Sequence, residues 1–233
     1  MALLAEGDKA RLQDCLFAYE LAHTVFSGQP DAQLLSVLVS APVDEALASI
    51  EAQSSDPAAA KRLREYLRDL AGRCPDALSL GEKAEAQLSC YNRLIGGPGK
   101  KKAYPWESMY VSYRPLLFQE STLAVREAYR QFGYRIEAYR RVPDDHLSLE
   151  CAFLAALVGR ALECGESEEA YRFIEGRKAF LEEHLTRWLP AFAADMAEAE
   201  DGLYSRVAAF ASAFAIEDLA LLAPSKGDRK EGL

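Results

Sequence analysis

The chain has 233 residues, of which 50% are apolar and 10% aromatic, enough to build a core and to exclude wholesale disorder. Lys and Arg number 27 against 36 Asp and Glu, a formal charge of −9, which excludes generic binding to a nucleic-acid backbone. No apolar run approaches the roughly 18 residues of a membrane span. The start, Met1 to Asp8, lacks the basic and long apolar regions of an export signal, so a cytoplasmic protein is expected.

The dominant period is helical. Leu12, Cys15, Leu16, Tyr19, Ala22 and Phe26 recur at steps of three and four, which predicts a helix from about residue 8 to 27, stopped by Gly28-Gln29-Pro30. Asp31 precedes a short helix with Leu34, Leu35 and Leu38. Pro42 breaks the chain before a third helix carrying Leu47 and Ile50. Asp56-Pro57 reads as an N-cap and first helical residue for the stripe Leu63, Tyr66, Leu67, Leu70 and Cys74. A further helix is expected over about 80–95, with Leu88, Tyr91 and Ile95.

Residues 96–117 break this rhythm with three glycines, three prolines and the run Lys100-Lys101-Lys102. The stretch reads as an ordered loop, in which 109–113 has an extended pattern; a loop this long is usually functional or a hinge. The glycine-rich turn is a poor phosphate cradle, because Pro98 lacks an N–H and no Ser or Thr follows the lysines. The lysines themselves read as a solvated loop tip.

Helical stripes then resume with Val125, Ala128, Tyr129, Phe132 and Ile136. Pro143-Asp144-Asp145-His146 breaks the chain ahead of a helix to about residue 163. Ser167 caps the next helix, which carries Leu181, His184 and Trp188 as core residues until Pro190 interrupts it. The last helix holds Leu203, Val207, Phe210, Phe214 and Leu221, and 225–233 reads as a frayed polar tail. The reading is an all-α bundle of roughly ten helices. Its parts are an N-terminal helical part over 1–96, a hinge or loop over 97–117, a C-terminal helical part over 118–224, and the tail.

Charge is uneven along the chain. Residues 100–141 carry +5 and residues 163–201 carry −7, a polarity that either steers a partner or brings the two segments face to face. The five cysteines form no Cys-x-x-Cys pair and read as plain thiols; no Cys/His pair has the spacing of metal ligands. With three histidines and none of the common nucleophile, phosphate-loop or dinucleotide motifs, no catalytic site is assembled, and neither a metal nor a cofactor is expected.

Three clusters carry a family likeness. The first is Tyr91-Asn92-Arg93-Leu94-Ile95-Gly96-Gly97-Pro98-Gly99, running into Tyr104-Pro105-Trp106-Glu107-Ser108-Met109-Tyr110. The second is Pro143-Asp144-Asp145-His146-Leu147 with Glu150 and Phe153; the third is Phe180 to Leu185 with Trp188-Leu189-Pro190-Ala191-Phe192. In this order and spacing, over about 85–215, they resemble the TorD/DmsD/NarJ family of cytoplasmic chaperones for molybdenum enzymes. One departure is Val142, where the family often has an acidic residue. The resemblance implies an all-helical chaperone, not an enzyme, that binds an apo-molybdopterin oxidoreductase, often through its twin-arginine leader peptide. It holds that client back from export until the cofactor is inserted, as a monomer or a domain-swapped dimer.

A leader's paired guanidinium groups want carboxylates, and its apolar stretch wants a groove lined by aromatic and aliphatic side chains. The implied client-binding residues are Asp144, Asp145, His146, Pro105, Trp106, Glu107, Ser108, Tyr110, Tyr91, Arg93 and Glu150. Of the two aspartates, one can cap the helix while the other faces out, or both can be capping and turn residues. His146 either orients a carboxylate or contacts the ligand, or is a hydrogen-bonded structural histidine. Trp106 and Tyr110 either floor a groove or staple the loop to the core. Glu107 pairs with a leader arginine or, internally, with Arg93. Ser108 shapes the loop, Glu150 lies one turn beyond His146, and Tyr91 with Arg93 forms the loop's near wall. Two other readings compete: a helical scaffold for a folded partner, and a weak nucleotide-binding or hydrolysing protein using Lys100–Lys102 with Asp144 and Asp145.

Overall fold

A computed structural model describes residues 6–96, 100–112, 117, 119–136, 143–165 and 167–223, with side-chain surroundings from residue 8 onward. Among them the chain is all α: eleven α-helices, two π turns and an isolated two-residue bridge. Val142, the Gly97-Pro98-Gly99 turn, Tyr113 and the 225–233 tail lie outside the described residues.

The longest helices make the centre. Helix α1 (Glu6–Phe26) buries Leu12, Cys15, Tyr19, Ala22 and Phe26 on one stripe, as the three-and-four spacing predicts. It packs on α8 (Leu147–Cys164) and α11 (Leu203–Leu222). Helix α8 is buried on most of its circumference and also packs on α9 (Glu168–Phe180); α11 also meets α10 (Thr186–Ala199) and α4 (Ala58–Arg73). Around these sit α2 (Ala32–Leu38) against α5 (Ala77–Tyr91), and α3 (Ala41–Gln53) against α4. One continuous apolar cluster runs from Leu12 to Ala215.

Local chemistry sets the helix ends. The Asp31 carboxylate accepts the Leu34 N–H at 2.7 Å to cap α2, and Asp76 with Ser79 forms a reciprocal capping box on α5. Helix α7 (Glu120–Gln131) ends on Gly133 at φ +80°: the Gly133 N–H reaches Arg130 O at 3.0 Å and the Tyr134 N–H reaches Tyr129 O at 3.0 Å. A side chain at that φ would clash with its own backbone, which is why glycine stands there.

Several expectations are corrected. Pro42 opens α3 near its N-terminus, where its missing N–H has no helical partner to lose. Helix α4 begins at Ala58, one residue later than expected, with Asp56 accepting the Ala58 N–H at 3.3 Å. Residues Ser108–Val111 form a helical turn, α6, and are not extended. The helix after Ser167 does not stop at Pro190, which lies inside α10. The irregularity comes earlier, in a π turn at Leu181–Leu185, where the Thr186 hydroxyl donates to Leu181 O at 2.7 Å. Leu221 is 62% exposed and leaves the core stripe of α11. Among the described residues no single helix is long and apolar enough to cross a membrane, and the α2–α3 pair that passes such a test together is bent by 46°.

Candidate functional site

Two separate stretches of sequence meet in one joint. The Glu107 N–H donates to Asp145 O at 3.0 Å and the Leu147 N–H to Pro105 O at 2.9 Å, while Trp106 bridges His146 in antiparallel fashion. Asp145 is fully buried. Its Oδ2 accepts the Ser108 N–H at 2.8 Å and its Oδ1 accepts the Thr122 hydroxyl at 3.0 Å. This supplies the start of α6 with an acceptor, and it explains why a segment with an extended pattern turns helical. Asp144, also buried, pairs with Arg126 of α7, whose Nε donates at 2.9 Å, and its carbonyl accepts the Tyr129 hydroxyl at 3.0 Å.

Neither aspartate caps α8. That place falls to His146, whose Nδ1 accepts the Ser148 N–H at 3.1 Å. The ring sits edge-on to Trp106 at 5.1 Å. Burial, and then the neighbouring His23, pulls His146 down to about 4, so the imidazole is neutral at physiological pH and free to act as the acceptor a cap needs. His23 itself reaches across from α1, its Nδ1–H donating to Ser148 O at 2.8 Å.

Beneath the joint lies a second buried polar layer. Glu107 pairs with His184 at 3.0 Å, and Glu150 accepts the Trp188 indole N–H at 3.1 Å. All four side chains are buried. Burial, followed by the proximity of Glu107, pushes the Glu150 carboxyl well above the ordinary carboxylate range. The other Glu150 oxygen is buried and has no hydrogen-bond partner among the described residues. The internal partner of Glu107 is therefore His184 and not Arg93. Arg93 is exposed and donates to Ala199 O at 3.3 Å and toward Cys90 Sγ at 3.4 Å.

The aromatic residues of the loop act mainly on the core. Tyr110 stacks on Trp188 at 5.7 Å and donates its hydroxyl to Asp195 at 3.0 Å. Trp106 is half-buried over His146, and Tyr91 leans on Tyr204 at 6.0 Å. The lysine run is anchored as well: Lys101 Nζ donates to Asn92 O at 2.7 Å and Lys102 Nζ to Glu198 O at 3.4 Å. The basic loop thus lies against the carboxyl ends of α10 and of α5, where α5 passes into the π turn Asn92–Gly96 and cations meet backbone carbonyls.

Of the eleven residues singled out, the fold brings Pro105, Trp106, Glu107, Ser108, Asp144, Asp145, His146 and Glu150 together, with Tyr110 on the adjoining core. Tyr91 and Arg93 stand apart, toward α11 and the end of α10. The sequence reading passed over Thr122 and Arg126 and placed Tyr129 only in a core stripe. Their spacing along α7 was a usable signal: three residues with polar ends at i, i+4 and i+7 share one helix face. It also placed His184 and Trp188 in the core without their carboxylate partners.

Two concavities border the joint. One, of about 380 Å³, is lined by Asp144, Arg126, Tyr129, Tyr134, Arg135 and Ile136. The other, of about 710 Å³, is a groove between α7 and α9 that ends on the π turn at His184. Among the described residues no His, Cys, Asp and Glu side chains group in a way that could hold a metal ion. The five cysteines are free thiols, three of them buried.

The joint is a structural clasp: buried carboxylates tie a loop to a helix start within a helical bundle. Residues 41–194 match the family described as the nitrate reductase delta subunit, a span covering both halves of the joint and well over half of the chain. The chain belongs to that family, the TorD/NarJ family. It is similar to the chaperone protein TorD of Vibrio cholerae serotype O1, being 30% identical over 143 residues, 60% of this chain and 64% of that protein. The chaperone protein TorD of Vibrio parahaemolyticus is 28% identical over 152 residues, 63% of this chain and 71% of that protein. The chain spans less than two thirds of the length of the first of these relatives.

Proposed function

We propose that this protein is a chaperone dedicated to one molybdopterin oxidoreductase. It binds the apo-enzyme, its twin-arginine leader, or both, and keeps the client from export until the cofactor is in place. The observation that supports this most is the family match across both segments of the joint, together with relatives that are named chaperones. In this reading it works in the cytoplasm, as a monomer or a domain-swapped dimer.

The buried members of the proposed site, Asp145, Glu107, Ser108 and Glu150, hold the binding surface in shape. Client contact falls to the half-buried and exposed members around them, Trp106, His146, Tyr110, Tyr91 and Arg93, and to the edge of Asp144 at its cavity. Such a division is physically reasonable, because a binding surface needs rigid support to avoid losing affinity to ordering.

The test is capture from the native host. A tagged copy is expressed during anaerobic respiration and whatever co-purifies is identified. Recovery of one immature molybdopterin enzyme with its leader uncut is expected. Repeated clean preparations, with the client present in the lysate, would overturn the proposal.

A further inference from the structure

We infer that the cavity between the end of α7 and Asp144 binds a small molecule through its phosphate group, held by Arg126, Arg130 and Arg135, with a flat apolar body against Tyr129 and Tyr134. Local structure brings these side chains together. Arg126 and Arg130 stand one turn apart on one face of α7. The turn through Gly133, at φ +80°, ties the Gly133 N–H to Arg130 O and the Tyr134 N–H to Tyr129 O, both at 3.0 Å, and folds the chain back at the helix end. Tyr134 and Arg135 therefore line the same cavity as the two helical arginines. The aromatic wall is fixed from behind: Tyr129 and Tyr134 lean on Phe153 at 4.7 and 5.7 Å, and the Tyr129 hydroxyl is held by Asp144 O.

Charge sets the sign of the occupant. The charged groups lining the cavity are the three guanidinium groups and the Asp144 carboxylate. Asp144 is buried and its ion pair with Arg126 cancels those two charges, which leaves Arg130 and Arg135 in excess. Arg130 has a 3.8 Å contact to Glu127, with both side chains more than half exposed, a pair of little energetic value; Glu127 lines the groove on the other side of α7 and not this cavity. Arg135 is exposed and has no hydrogen bond or ion pair among the described residues. The carboxyl end of α7 offsets at most about half a positive charge. The cavity is therefore cationic, and a concave surface of one sign concentrates the opposite ion. An arginine side chain is a poor occupant here, because the carboxylate it would seek already has one.

Geometry narrows the anion. A carboxylate brings one charge and two oxygens, enough for one guanidinium fork. A phosphate monoester brings close to two charges and three acceptor oxygens, which suits several guanidinium groups around one space. The volume of about 380 Å³ lies near the lower end of ligand-sized pockets, so the occupant is a small molecule and not a peptide segment. None of the Lys100–Lys102 run lines the cavity, so this site is distinct from the lysine loop. It also goes beyond client binding and does not depend on it.

The experiment uses the full chain and isothermal titration calorimetry at fixed ionic strength, with phenyl phosphate, inorganic phosphate and benzoate as probes. Phenyl phosphate is expected to bind about tenfold or more tighter than benzoate, and also tighter than inorganic phosphate. The double variant Arg130→Gln, Arg135→Gln is expected to weaken phenyl phosphate about tenfold or more. Arg135→Gln alone, an exposed change outside any helix, should weaken it severalfold. Circular dichroism and thermal melting should match wild type for both variants, since neither arginine is buried. The phosphate assignment is overturned if phenyl phosphate does not bind below about 10 mM, if benzoate binds as tightly, or if the double variant binds like wild type. Equal affinity for inorganic phosphate and phenyl phosphate would overturn the small-molecule assignment and leave a site for the free ion.

Discussion

Asp145 shows how one buried carboxylate sets a local conformation. It accepts one hydrogen bond from the backbone of α6 and one from Thr122 of α7. Asp145→Ala leaves two buried donors without acceptors and is expected to cost about 2–4 kcal/mol in urea unfolding. Asp145→Asn should cost about 1 kcal/mol, because its amide oxygen still accepts the Ser108 N–H and the Thr122 hydroxyl can turn to accept from the amide nitrogen. Equal stability of the two variants would show that the joint does not hold the loop. The sequence marked Asp145 as special through its Pro-Asp-Asp-His setting. Which residue caps α8 was not legible, since Asp and His both serve and only the positions of Ser108 and Thr122 draw the carboxylate away.

Glu150 adds a pH dependence at the same scale. Its folded pKa lies above its ordinary value of about 4.5, so over that window the native state binds more protons than the unfolded chain. Its contribution to stability is complete below about 4.5 and declines as pH rises toward the folded value. His146 has the opposite sign: with a folded value of about 4 against 6.5 unfolded, its contribution grows as pH rises through that interval and is constant above it. The His146 contribution is common to the wild type and a Glu150 variant, so Glu150 is read from the difference between the two across pH. Glu150→Gln retains the oxygen that accepts from Trp188, so the difference in unfolding free energy should move in the variant's favour as pH rises. A difference independent of pH would show that Glu150 carries no extra proton when folded.

Between elements, Asp218 ties three helices together. On α11 it accepts the Tyr19 hydroxyl at 2.6 Å and the Cys15 thiol at 3.3 Å, both from α1, and faces Arg177 of α9 at 3.5 Å. Asp218 is 1% exposed and Arg177 is 4% exposed. Removing one member of a buried ion pair strands the other charge, so Asp218→Ala should cost about 3–5 kcal/mol. Tyr19→Phe removes one hydrogen bond and should cost about 1 kcal/mol. The double variant, measured by thermal and urea unfolding, should lose less than the sum, because both changes act on one network. Strict additivity would show that the two groups do not act as a unit. The helices themselves were legible as apolar stripes, but this tie was not. Asp218 lies 203 residues from Cys15, and nothing along the chain brings the two together. The π turn at Leu181–Leu185 was equally hidden, because Pro190 is the conspicuous breaker and yet sits inside a helix.

At the scale of the whole molecule, α1 packs against α8 and α11, so the 1–96 part forms part of the same core as the 118–224 part. The division at 97–117 stands as a proposal about chain organisation. On this packing the full chain should unfold in one transition, with far-UV circular dichroism and tryptophan fluorescence coinciding across urea. Two separated transitions would mean that the parts are stable alone and that the shared core contributes little between them.

The sequence by itself determined the class of fold and the family. Helical period, capping residues and two spaced motifs are local properties, readable wherever the chain places them. Burial and pairing were decided by the tertiary structure alone. Asp144, Asp145, Glu107 and Glu150 look alike on paper as carboxylates for a cationic ligand, yet each is buried against a partner from a distant element. The physical reason is that the state of a charged side chain depends on the solvent and partners around it, and helix packing sets both.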